Sequence, residues 1–228
     1  MKNIYLVNYS VKGIKTLDEL ISLSFYKKTI TRNLDTQEYN VKGIYGMNGS
    51  GKSAIVTSAD ILRNLLTNPG YLNNPIVQKN LEELINKKLG ELFISVDFLV
   101  NLNKQENSIP VLMRYMVTIS QNSNGKYAIS HEKLSCKNAC RKSDFMFNVF
   151  ETQKGDVISV IDEAENPFLK RFLDKTTNLL EDNSMCVLFF DKVLMDMAKD
   201  ETDKDYPILF YQLLSLWIFG KSIHVYLD

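Results

Sequence analysis

Ile55, Ala59, Leu62 and Leu66 recur at steps of four, three and four. That spacing lines one face of an α-helix, and Pro69 and Gly70 stop it. Val77, Leu81, Leu84 and Ile85 mark a second helix, in which Glu83 and Lys87 stand one turn apart as a supporting ion pair. Ahead of these helices, residues 3–8 and 20–26 read as two strands around a short connection. Val41, Ile44 and Tyr45 form a short apolar run that predicts a buried strand ending at Gly46.

From residue 92 the period changes. "LFISVDFLV", "VLMRYMVTIS" and "KYAIS" are rich in β-branched and aromatic residues, with turn material such as "QNSNG" between the later two; together they predict an antiparallel meander. "FMFNVFETQKGDVISVI" reads as a further hairpin turning at Lys154 and Gly155. The last third is helical: Phe168, Phe172, Leu173, Thr176 and Leu180 share one face, and Leu209, Leu213, Leu214 and Trp217 another. Pro207 stands where a first helical turn tolerates it, and "SIHVYLD" ends the chain as a strand. The pattern predicts one mixed α/β domain over residues 1–228. Strands and the first helix fill 1–70, the meander 92–162, and a helical segment 163–222.

Composition narrows the classes. With 228 residues, 45% of them hydrophobic and 24% charged, the chain can bury a core of normal size. The 27 basic and 27 acidic residues cancel, so no general field draws the protein to nucleic acid or to an anionic membrane. "MKNIYLVNYSVKG" lacks the apolar run of a signal peptide. Residues 206–220 are interrupted by Gln212 and Ser215 and fall short of the roughly 20 residues that span a bilayer. A soluble, cytoplasmic protein is the expectation. His131, Cys136 and Cys140 offer three metal ligands at an unusual spacing, where a structural zinc takes four; ordinary reduced thiols describe them better.

The chemistry is concentrated in "GMNGSGKS", residues 46–53. It satisfies G-x-x-x-x-G-K-[ST] at Gly46, Gly51, Lys52 and Ser53, between an apolar run and an amphipathic helix. Gly46, Gly49 and Gly51 let the backbone approach phosphate oxygens with no Cβ in the way. The amides of residues 48–53, Asn48 and Ser50 included, then form an anion nest at the positive end of the helix dipole. Lys52 is expected to reach the β- and γ-phosphates of ATP, and the Ser53 hydroxyl to ligate Mg²⁺.

With Asn48 ahead of Gly-Ser-Gly, this loop resembles the Walker A of ABC-type ATPases of the RecF/SMC branch. The N-terminal "NIYLVNYSVKGIKTLDELISLSF" resembles their first two strands, whose connecting turn approaches the nucleotide. "FISVDFL", "RYMVTIS" and "YAISHEKL" look like the meander of AAA-family ATPases related to the OLD and PtuA proteins, and the late helices up to "LWIFGKSIHVYL" resemble the stretch those proteins place ahead of their second half. The resemblance implies a P-loop ATPase head whose ATP is sandwiched between two heads in a homodimer or head-to-head dimer. It also implies work with a nuclease partner or domain, with DNA as a possible further partner, in DNA repair or phage defence.

Hydrolysis by such a head needs a Walker B carboxylate, a following Glu and a signature loop from the opposing head. Asp162 and Glu163 in "VISVIDEAEN" are the only candidates for the first two, and "KLSCKN" is faintly like a signature. Both read better as decoys. Cys136, Lys137 and Asn138 supply none of the glycines a phosphate-binding loop needs, "VISVI" completes a hairpin, and acidic residues suit the start of the next helix. Gln121, just after a strand, is the candidate for the water- and Mg²⁺-sensing Gln of such heads. In the resembled family the true signature and Walker B lie beyond the point where this chain ends. The expectation is therefore an incomplete head that binds ATP–Mg²⁺ and turns over little alone. Two rivals remain open: a non-hydrolysing module in which ATP is a conformational ligand, and a small-molecule kinase. The kinase is disfavoured because "KNACRKSD" is the one basic cluster resembling a lid.

Overall fold

A computed structural model of the chain describes residues 4–25, 42–100, 110–139, 145–161, 167–197 and 208–225. These residues form a mixed α/β fold built on one seven-stranded antiparallel sheet and five α-helices. The strands are β1 (Ile4–Lys12), β2 (Ile21–Ser24), β3 (Glu91–Val100), β4 (Val111–Gln121), β5 (Tyr127–Asn138), β6 (Phe147–Gln153) and β7 (Asp156–Val160). They stand in the order β2-β1-β3-β4-β5-β6-β7. The helices are α1 (Lys52–Thr67), α2 (Pro75–Leu84), α3 (Pro167–Thr176), α4 (Met185–Met197) and α5 (Ile208–Ser222).

Alternation along the strands makes the sheet one-sided. Val11, Ile94, Val96, Phe98, Met113, Tyr115, Val117 and Leu134 are buried under the helices. The opposite face carries Asn8, Ser10, Ser22, Lys133 and Glu151, together with a two-pronged ion pair between Asp97 and Arg114 at 2.7 and 2.8 Å. α1 lies on the apolar face, where the Tyr9 and Ser58 hydroxyls meet at 2.7 Å. α5 packs there too: Phe219 stacks on Phe98 with centroids 4.4 Å apart and planes 9° from parallel. α4 joins them by burying Met185 to Phe190.

The meander is present as read, and its third strand is longer than expected. β5 runs on to Asn138, so "KLSCKN" is ladder rather than loop. Leu134 is fully buried, Ser135 nearly so, and both pair with β4 and β6. The β6–β7 hairpin turns at Lys154 and Gly155, whose φ values of 49° and 83° give the primed turn that suits strand twist.

Three local expectations change. Residues 42–47 form no strand, Ile44 is half-buried, and Tyr45 is 95% exposed. A strand needs a neighbour for its amides and carbonyls, and Gly43 weakens so short a run. The neighbours present pair with one another instead. The Glu83–Lys87 pair does not form, because α2 ends at Leu84 and Lys87 turns back to the Glu82 carbonyl. The last strand is not seen either: α5 continues through Ser222, and 223–225 have no regular structure. Residues 226–228, Pro207 and Cys140 lie outside the described residues.

Candidate functional site

α1 starts without help from a side chain. Its N-cap is Gly51, no side chain bonds the first-turn amides, and no acidic residue stands in that turn. A 16-residue helix left in this condition presents unsatisfied N–H groups and a positive dipole end. The loop before it is shaped by glycine. Gly49 and Gly51 have φ of 84° and 91°, the left-handed region that other residues enter at a cost. The turn is closed by the Ser50 amide donating to the Met47 carbonyl at 3.1 Å.

Lys52 crosses this turn. Its ammonium donates to the carbonyls of Gly46 at 2.5 Å and Met47 at 2.8 Å. An ammonium has three donors, so two hold the loop and one is left for an incoming anion. The lysine is fixed by the same carbonyls that begin the loop.

The β1–β2 turn supports the loop from the side. The Thr16 hydroxyl donates to the Gly49 carbonyl at 3.3 Å. Leu17 lies so close that a Cβ on Gly51 would sit 2.5 Å from its Cδ2. Gly13 places that turn against β3, since a Cβ there would come within 1.9 Å of the Glu91 carbonyl. Thr16 and Leu17 were not singled out from the sequence. The resemblance implied that this connecting turn approaches the loop, but nothing in its residues singles out Thr16 and Leu17 as the ones in contact.

Ser53 is exposed at the mouth of the loop, and among the described residues its hydroxyl bonds nothing. Magnesium takes few protein ligands and keeps water and phosphate oxygens for the rest of its octahedron. One free hydroxyl at the uncapped start of α1 therefore fits it. Among the described residues there is no group of three or more His, Cys, Asp or Glu that would hold a metal alone. His131 instead bonds Glu151 at 2.9 Å.

The remaining candidates lie elsewhere. Gln121 ends β4, exposed, and lines a cavity of about 220 Å³ with Asn122, Ser130, Lys154 and Glu181. It shares the end of the sheet that carries the β1–β2 turn, because Ser120 pairs with Glu91. No hydrogen bond or ion pair among the described residues joins it to residues 46–53. Asp162 and Glu163 fall outside the described residues. The strand leading to them, β7, is the sheet edge opposite β2 and β1.

The chain matches no known protein family and no curated protein. What the loop does must therefore be read from its own chemistry. Among the described residues no helix is long and apolar enough to cross a membrane.

Proposed function

We propose that residues 46–53 bind the phosphate chain of ATP with Mg²⁺, and that the protein is part of an ATPase head of the RecF/SMC-like type. The observation that carries this is the Lys52 ammonium held on the Gly46 and Met47 carbonyls at the uncapped start of α1. Glycine φ values, free amides and a fixed cation together are what a polyphosphate needs. Apart from Ser50, whose amide closes the turn onto Met47, the amides of residues 48–53 would surround the phosphates, Lys52 would neutralise the β- and γ-oxygens, and Ser53 Oγ would hold the metal.

Bound Mg²⁺ would draw charge from the bridging and terminal phosphate oxygens. The chain's own part is to grip and align that tail, so that a water attacks the γ-phosphorus only when a carboxylate and a second head complete the site. ATP thereby becomes the joint of a head-to-head dimer, and a nuclease partner and DNA are the expected company of such a head.

Equilibrium binding of ATP–Mg²⁺ to the wild type and to Lys52→Ala tests the reading. Loss of one charge-assisted contact of this kind costs about 1.5–3 kcal/mol, which is roughly a ten- to hundredfold rise in Kd. Equal affinity in the two proteins, both folded by circular dichroism, overturns it.

A further inference from the structure

Glu132 lies in the centre of β5 on the face beneath the helices, fully buried. Its Oε1 accepts the Tyr115 hydroxyl of β4 at 2.8 Å, and its Oε2 accepts the amide of Met185, the first residue of α4, at 2.9 Å. The titratable groups facing it are Tyr115 and, from α4, the buried Cys186 thiol, which donates to the Leu213 carbonyl of α5 at 3.6 Å. Among the described residues no cation bonds it.

The start of α4 is also where α1 is tied down. Ser184 Oγ donates to the Leu65 carbonyl at 2.8 Å and accepts the Val187 amide at 3.2 Å. Asn183 Oδ1 accepts the Gly70 amide at 2.6 Å. Sheet, α4 and the far end of α1 therefore meet within three residues of chain.

We propose that Glu132 is a proton-operated latch, holding the first turn of α4 against the sheet while neutral and releasing it when ionised. The neutral carboxyl keeps both contacts: one oxygen still accepts the Met185 amide, and its own O–H donates to the Tyr115 oxygen with that bond reversed. The carboxylate has about four acceptor sites and fills two. It is a buried charge without a counter-ion, which opening to water relieves.

Burial is the largest influence on this group. It outweighs the Met185 amide and the Tyr115 hydroxyl, which favour the charge, and pushes the carboxyl up to about 7. The folded value is raised above that of the unfolded chain. The stabilisation is thus complete below the unfolded value and is lost as pH rises through about 7. The latch is shut in mild acid and loosens above neutrality.

Amide exchange of the full chain at about pH 6 and about pH 8, corrected for intrinsic chemistry, reads the opening directly. Peptides covering residues 183–188 are expected to lose protection about tenfold at the higher pH relative to β3, since one unit above the midpoint shifts a titration tenfold. Glu132→Gln, neutral throughout, is expected to abolish the difference. Tyr115→Phe removes a donor that favours the charge, and so moves the midpoint to higher pH; this variant carries the test if Glu132→Gln fails to fold. A wild type without the difference, the same difference in Glu132→Gln, or an unmoved midpoint in Tyr115→Phe overturns the proposal.

Discussion

At the scale of single residues, the two left-handed glycines of the loop before α1 are not equivalent. Gly49 faces open space, so a methyl group there meets nothing within 4 Å and only the backbone resists. Gly51 carries the same kind of φ, and in addition a Cβ placed there would come within 2.5 Å of the Leu17 Cδ2. Placing alanine in this region costs about 1–2 kcal/mol, so Gly49→Ala is expected to lose about that much stability. Gly51→Ala is expected to lose more, by the price of moving a buried leucine. The difference belongs to a contact, and a double-mutant cycle isolates it. Urea denaturation of Gly51→Ala with Leu17→Ala is expected to show less destabilisation than the two single changes summed. Simple additivity would mean that Leu17 does not brace the loop.

At the scale of elements, α5 packs beside α1 on the apolar face of the sheet, and a glycine sets the distance between the two helices. A Cβ on Gly220 would sit 2.8 Å from the Leu66 Cβ and 3.1 Å from the Thr67 Cγ2. Alanine within a helix is favoured over glycine by about 1 kcal/mol, but overpacking a core costs about 1–3 kcal/mol. Leu66 Cβ is fixed to the backbone and cannot swing aside, so the clash wins. Gly220→Ala is expected to lower stability by about 1–2 kcal/mol with the urea slope unchanged, and a gain in stability would show that the helices separate freely.

The same elements show what the sequence could reveal. α1 was legible because its buried residues keep the helical period and Pro69 and Gly70 follow. The β6–β7 hairpin was legible because Lys154 and Gly155 interrupt a run rich in β-branched and aromatic residues. α4 was not distinguished within the helical third, since Met185 to Phe190 is buried on every side and has no period to read. The strand expected before Gly46 failed for the opposite reason: local composition favours extension, but a strand exists only when another strand is beside it. The glycine turn ahead of α1 was legible because its glycines and lysine stand at fixed offsets. Its brace by Thr16 and Leu17 was not, being a contact across 33 residues or more of chain.

At the scale of the whole molecule, the loop and the core share one helix. Lys52 begins α1, and Ile61, Leu62, Leu65 and Leu66 of the same helix are buried in the main core. A ligand held at its start therefore stabilises the native state of the entire fold, not a detached loop. Saturation at a hundred times Kd adds about 2.7 kcal/mol. For a chain of this size each kcal/mol moves Tm by about 2–4 °C, so ATP–Mg²⁺ is expected to raise Tm by roughly 5–10 °C. Since the loop supplies amides and an ammonium rather than a pocket for a base, inorganic tripolyphosphate with Mg²⁺ is expected to give much of that rise, and adenosine none. Lys52→Ala is expected to remove the response to both phosphates while keeping its own transition cooperative. A shift produced by adenosine alone, or one that survives Lys52→Ala, would place the ligand somewhere other than the start of α1. The uncapped helix would then need another explanation, because nothing else among the described residues satisfies its first amides.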